Sequence, residues 1–163
     1  MKRRKKQPFG VGDVFCIPLE QSVSGLAQVV AVEPQALNSV VCAFFVTRLE
    51  DPPTKPLPDV TTQQILAVQF VTRDLLDRGF WIVAGNQPVV NVSRYVDLPK
   101  MRQVGFVGTS ILGSAIAANF LRAYFGLAAW NRYHDPNYFD KLLASPSLKP
   151  ANVRIEPKGE NYQ

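Results

Sequence analysis

SVVCAFFVTRLE, residues 39–50, is the run of the chain from which the rest can be placed. From Val40 to Val46 it is a nearly unbroken apolar run of β-branched and aromatic side chains. A strand resting on a core by one face alternates apolar with polar residues, whereas one lacking that alternation is covered on both faces. Residues 39–50 therefore predict the centre of a sheet. Upstream, GVGDVFCIPLE (10–20) and GLAQVVAVE (25–33) also have strand composition, and only the polar segment 21–24 separates them, so they predict a hairpin. Gly12 and Asp13 deliver the chain into the first run as turn residues. Pro18 near its end suits a first or edge strand, and Pro34 closes the second.

Downstream, DPPTKPLPD (51–59) holds four prolines and can be neither helix interior nor central strand. The fifty or so residues before it would make a marginal core alone, so it reads as a long surface loop and not a domain boundary. ILAVQFVT (65–72) and FWIVA (80–84) are further strands, separated by RDLLDRG (73–79), a turn or single helical turn stopped by Gly79. Residues 91–108 are less regular, with a strand at Val104 to Val107. From Thr109 the texture changes, because Leu112, Ile116, Phe120 and Tyr124 recur every four residues. Thr109 or Ser110 as cap and Gly126 as stop frame one long helix. A shorter one is expected at 135–145, with Asp135 as cap, Pro136 in the first helical position and Lys141 toward the negative end of the dipole. The fold class is α+β: a mostly antiparallel, twisted sheet, barrel-like if it closes, with one long and one short C-terminal helix. Residues 1–9 read as a basic flexible tail, 10–155 as a single globular domain, and 156–163 as a polar C-terminal tail.

The 163-residue chain carries a formal charge of +5, and its location decides what it means. Lys2, Arg3, Arg4, Lys5 and Lys6 carry five positive charges; without them the remaining 13 basic residues equal the 13 acidic ones. A nucleic-acid-binding domain needs its cations over the folded surface that tracks the phosphates, and here the body is neutral. The basic start reads as a solvated terminus, with a weak electrostatic arm for acidic partners as the alternative. It lacks the apolar region of a signal peptide, and the apolar stretch 104–118 is interrupted and shorter than the about twenty residues that span a bilayer. No membrane partner is expected. Cys16 and Cys42 each lie in an apolar run and read as buried reduced thiols, which points to the cytoplasm.

Groups able to do chemistry are sparse. The one histidine, His134, sits beside Asp135 just before the expected helix cap; with no cysteine or serine motif in company, it reads as a loop imidazole that orders the turn or points into solvent, with a lone base beside Asp135 as the alternative. Two cysteines twenty-six positions apart plus one histidine make no metal-site spacing. Gly105, Gly108 and Gly113 lack the order and the lysine of a phosphate-binding loop. Neither catalytic residues nor a metal or cofactor are expected. Among the aromatic residues, Phe44, Phe45, Phe70, Phe80 and Trp81 read as core, and any that faces outward would be a binding anchor.

GDVFCIPLE, GLAQVVAV, SVVCAFF and the late NYFDKLL, in this order from about Gly12 to Leu143, resemble the immunity protein 26 family of bacterial polymorphic-toxin and contact-dependent inhibition systems. The resemblance implies a mostly β protein made beside a toxin gene, which binds the cognate toxin domain and neutralises it without turnover. It carries over no catalytic residue. The first hairpin departs from the family in reading QSVSGLA, where a sequence richer in Asp, Gly and Tyr is usual. Loops carry recognition on rigid scaffolds. The expected contact surface is accordingly 20–24, 50–59 and 74–79, with Glu20, Gln21, Glu50, Asp51, Asp74, Asp77 and Arg78 as its residues. The rival reading is a nucleic-acid-binding SH3-like module with a basic N-terminal arm.

Overall fold

The computed structural model of the protein describes residues 5–51 and 56–157. Lys2, Arg3 and Arg4 of the basic start, residues 52–55 of the proline-rich loop and residues 158–163 of the polar tail lie outside them. Strands β1 (Asp13–Glu20), β2 (Ser22–Glu33), β3 (Ser39–Asp51), β4 (Ile65–Val71), β5 (Ile82–Asn86) and β6 (Ile111–Leu112) form one sheet in the order β5-β1-β2-β3-β4-β6. Neighbours are antiparallel except β4 and β6, which pair in parallel. With β5 and β6 as its edges, the sheet is open and does not close into a barrel.

The reading of residues 39–50 accounts for the layers. Val40, Cys42 and Phe44 of β3 point into one apolar cluster, and Val41, Ala43 and Phe45 into another. All six are buried. Successive side chains of a strand alternate faces, so an unbroken apolar run needs cover on both. One face is covered by α1 (Asp74–Asp77), α3 (Ser114–Tyr124) and a C-terminal aromatic group in which Trp130 and Phe139 pack on Phe120. Gly25 lets α3 come close, because a Cβ there would lie 2.9 Å from Leu121 Cδ1. On the other face lie Val90, Val92 and Phe106, together with Leu98 of α2 (Leu98–Gln103). Burying a phenylalanine of this kind contributes about 2–3 kcal/mol, so Phe44 and Phe45 tie β3 to both layers. Cys42 faces the α3 layer, and Cys16, between Phe15 and Ile17 of that layer, points the other way. Both cysteines are buried and neither is in a disulfide, and burial pushes the Cys42 thiol far up.

Several expectations change. β1 is the first strand, as Pro18 suggests, but it is not an edge, because β5 pairs with its Asp13–Cys16 half; Pro18 lies beyond that pairing. The long helix begins at Ser114, since Ile111 and Leu112 pair with Phe70 and Val71 instead of starting it. The expected strand at 104–107 is a turn in which Phe106 adopts a left-handed φ of 61° and sets its ring 5.9 Å from that of Phe70. The expected helix at 135–145 is only a 3₁₀ turn at Phe139–Leu142. Asp135 caps no helix: it accepts from Asn137 N at 2.9 Å and pairs with Lys141 at 2.6 Å. Helix α2 was not foreseen, although its Asp97 cap, accepting from Lys100 N, and a proline in its first two positions are ordinary start signals.

Candidate partner-binding site

The structure divides the expected contact residues between the two ends of the sheet. At one end, Glu20 pairs with Val23, so the expected 20–24 loop contracts to Gln21 and Ser22, with Ser22 already opening β2 at a left-handed φ of 75°. Strand β3 runs on far enough for Glu50 to pair with Val23 and the Asp51 backbone with Ser22. Glu20, Val23 and Glu50 thus form one row across three strands, with the two acidic residues about 10 Å apart by strand spacing and Val23 buried between them. Glu20, Gln21 and Glu50 are exposed. Behind this fringe, Arg122 of α3 donates through Nε to the Leu19 carbonyl at 2.8 Å and through Nη1 to Asn119 Oδ1 at 2.8 Å, which brings a cation toward the acidic row.

Asp74 belongs to the other end, because Val71 pairs with Val40 where β2 has given way to β3. Its carboxylate accepts from the Thr72 and Ser114 hydroxyls, both at 2.7 Å, while Ser114 N donates to Thr72 Oγ1 at 2.9 Å. Burial alone would raise the Asp74 pKa, but these hydroxyls and its neighbouring backbone amides outweigh it and hold the group below the usual carboxylate value. Asp77 receives both Nε and Nη2 of Arg73, at 3.0 and 3.2 Å. That guanidinium also reaches Asn38 Oδ1 at 3.2 Å and lies over the Phe9 ring. Both carboxylates therefore hold elements of the fold together. Arg78 differs: it is exposed, with its guanidinium 4.9 Å from the centroid of the Phe80 ring.

Phe80 leads to a surface that the loop argument missed. Of the five aromatic residues expected in the core, Phe44, Phe45, Phe70 and Trp81 are buried, whereas Phe80 is 46% exposed. Trp81 stacks on Phe15 at 5.4 Å, and this inward turn leaves Phe80 and Ile82, on either side of it, facing solvent; Ile82 is 47% exposed. Ala84 follows as a third exposed residue. The backbone here is held from the N-terminal side by one residue. Gln7 donates from Nε2 to the Trp81 and Leu76 carbonyls, accepts from Val83 N at Oε1, and donates from its own N to the Asp77 carbonyl, all within 2.7–3.1 Å. The signal for Phe80 was the shortness of FWIVA between Gly79 and Gly85: a brief edge strand covers one set of alternate residues and leaves the other out.

His134 is exposed. Among the described residues no three His, Cys, Asp or Glu side chains come together as a metal ion would require, and no helix is long and apolar enough to cross a membrane. The sequence pattern of immunity protein 26 matches residues 10–102. The match spans β1 to β5 and nearly all of α2, including every expected contact residue and Phe80, and stops short of α3 and the C-terminal aromatic group. No curated protein and no solved structure matches the chain.

Proposed function

The chain belongs to the immunity protein 26 family, and from that premise we propose that it binds a cognate bacterial toxin domain and neutralises it by one-to-one protein contact, without turnover. The observation that carries this reading is the family match across β1 to β5. Inhibition of this kind asks for a preformed surface on a rigid scaffold, with affinity concentrated in a few anchors. A sheet covered on both faces supplies the scaffold. The contacts are assigned to Glu20, Gln21, Glu50 and Asp51 at the hairpin end and to Arg78 beside β5, while the carboxylates of exposed Asp74 and half-buried Asp77 are engaged in bonds within the chain. The site of action is the cytoplasm of the producing cell.

The test is co-expression with the C-terminal domain of the large secreted protein expected immediately upstream of this gene. Wild type should restore growth, and Glu20→Lys with Glu50→Lys should lose protection while remaining folded. Protection undiminished by those reversals would remove the hairpin end from the interface. Tight RNA or DNA binding that survives deletion of residues 1–6 would instead favour the nucleic-acid module.

A further inference from the structure

The two edges of the sheet are finished differently. Along β4, strand β6 pairs with Phe70 and Val71, Ala144 N donates to the Leu66 carbonyl at 2.8 Å, and Gln69 Nε2 reaches the Leu142 carbonyl at 3.1 Å. At the β5 edge Gln7 takes up the Trp81 carbonyl and Val83 N, yet Phe80 and Ile82 stay 46% and 47% exposed. An edge left apolar is an aggregation risk that proteins normally cover or charge, so one that persists calls for a use.

Charge surrounds this strip on one side. Gln7 N bonds to the Asp77 carbonyl, which sets Lys6 beside Arg78, and Lys5, Lys6 and Arg78 are all exposed. Nearby carboxylates do not offset them. Asp77 is taken up by Arg73, and Asp13 accepts from Gly10 N at 2.8 Å and Asn86 Nδ2 at 3.0 Å. Lys5, Lys6 and Arg78 form no salt bridge among the described residues. An aromatic ring under an arginine, next to a branched aliphatic side chain, is the composition of an interface core. Its backbone is pre-organised by the Phe15–Trp81 stack and by Gln7, so little ordering would accompany binding.

We infer that Phe80, Ile82 and Ala84, rimmed by Lys5, Lys6 and Arg78, form the seat of an acidic surface on the toxin domain, with an apolar side chain of the toxin against the strip and its carboxylates on the rim. This rests on the toxin-binding reading. A second copy of the chain is a poor occupant, because the cationic rims would meet. Nucleic acid is another, since Phe80 is the strip's one ring and Arg78 already lies over it.

The experiment measures affinity of the full chain for the purified toxin domain encoded upstream, at low and high salt. Phe80→Ala and Ile82→Glu should each weaken binding at least about 30-fold with unchanged melting temperature. Arg78→Glu, an exposed change with little bearing on folding, should weaken it severalfold and flatten its salt dependence. If wild type binds and all three variants bind equally well, the strip is not the seat, and the family-based reading survives. If wild type does not bind the toxin domain at all, both fail. Self-association of wild type that Ile82→Glu abolishes, with toxin affinity intact, would also overturn the assignment.

Discussion

The Ser114 hydroxyl donates to Asp74 Oδ1 at 2.7 Å, joining the start of α3 to the segment that leaves β4. This bond makes Asp74 part of the frame. Asp74→Ala should lower stability by about 1–2 kcal/mol in denaturant titration, since two hydroxyls lose their acceptor, and should leave toxin affinity unchanged. The same carboxylate gives a pH dependence. Its folded pKa lies below the unfolded value, so its contribution is fully present above the ordinary carboxylate range and is lost as pH falls through the lowered value. Wild type should therefore lose more stability than Asp74→Asn on acidification below about pH 4.

Gln28 is wholly buried and works as a clip. Its Nε2 donates to the carbonyls of Gly12, Gln87 and Pro88 at 3.0–3.2 Å, and its Oε1 accepts from Val90 N at 3.0 Å. These bonds hold the segment that carries Val90 and Val92 onto the sheet. Gln28→Leu fills a similar volume but strands the Val90 N–H and several carbonyls. A loss of about 3 kcal/mol in chemical denaturation is expected, with thiol accessibility of Cys16 rising in the native state.

Ser22 holds a left-handed φ of 75° at the β1–β2 turn, a conformation that glycine adopts without steric cost. Ser22→Gly should raise stability by up to about 1 kcal/mol, read as a higher melting temperature. Because the turn borders the acidic row, the same variant tests whether a strained serine is kept there for binding: a tighter-folded protein with weaker toxin affinity would show that it is.

These tests separate what could be read in the chain from what could not. Residues 39–50 announced their position because an apolar run without alternation has one stable placement, between two layers. Most of the other strands followed from composition and punctuation. Tertiary packing decided the rest. Tyr138, Phe139 and Leu142 carry helix start signals upstream, yet Phe139 is drawn against Trp130, Tyr133 and Phe120, and the chain tightens to a 3₁₀ turn to place it. Leu112 matches the helical period, but a vacant stretch beside Phe70 and Val71 claimed it and Ile111 as a strand. The expected contact residues scattered for a similar reason. Glu20 and Glu50 come together only through a register set by β2, and Asp74 lies at the far end because β4 runs antiparallel to β3. Neither fact is present in local spacing. Phe80 was recognisable only as a condition, that an aromatic facing outward would be an anchor, and strand direction met it.

Whether neutralisation is stoichiometric is decided by titrating the toxin domain's activity with the full chain. One-to-one binding gives a linear fall to zero at one equivalent, with Asp74→Ala following the same line and Phe80→Ala departing from it. Inactivation by a small fraction of an equivalent, growing with time of incubation, would show turnover and rule out one-to-one neutralisation.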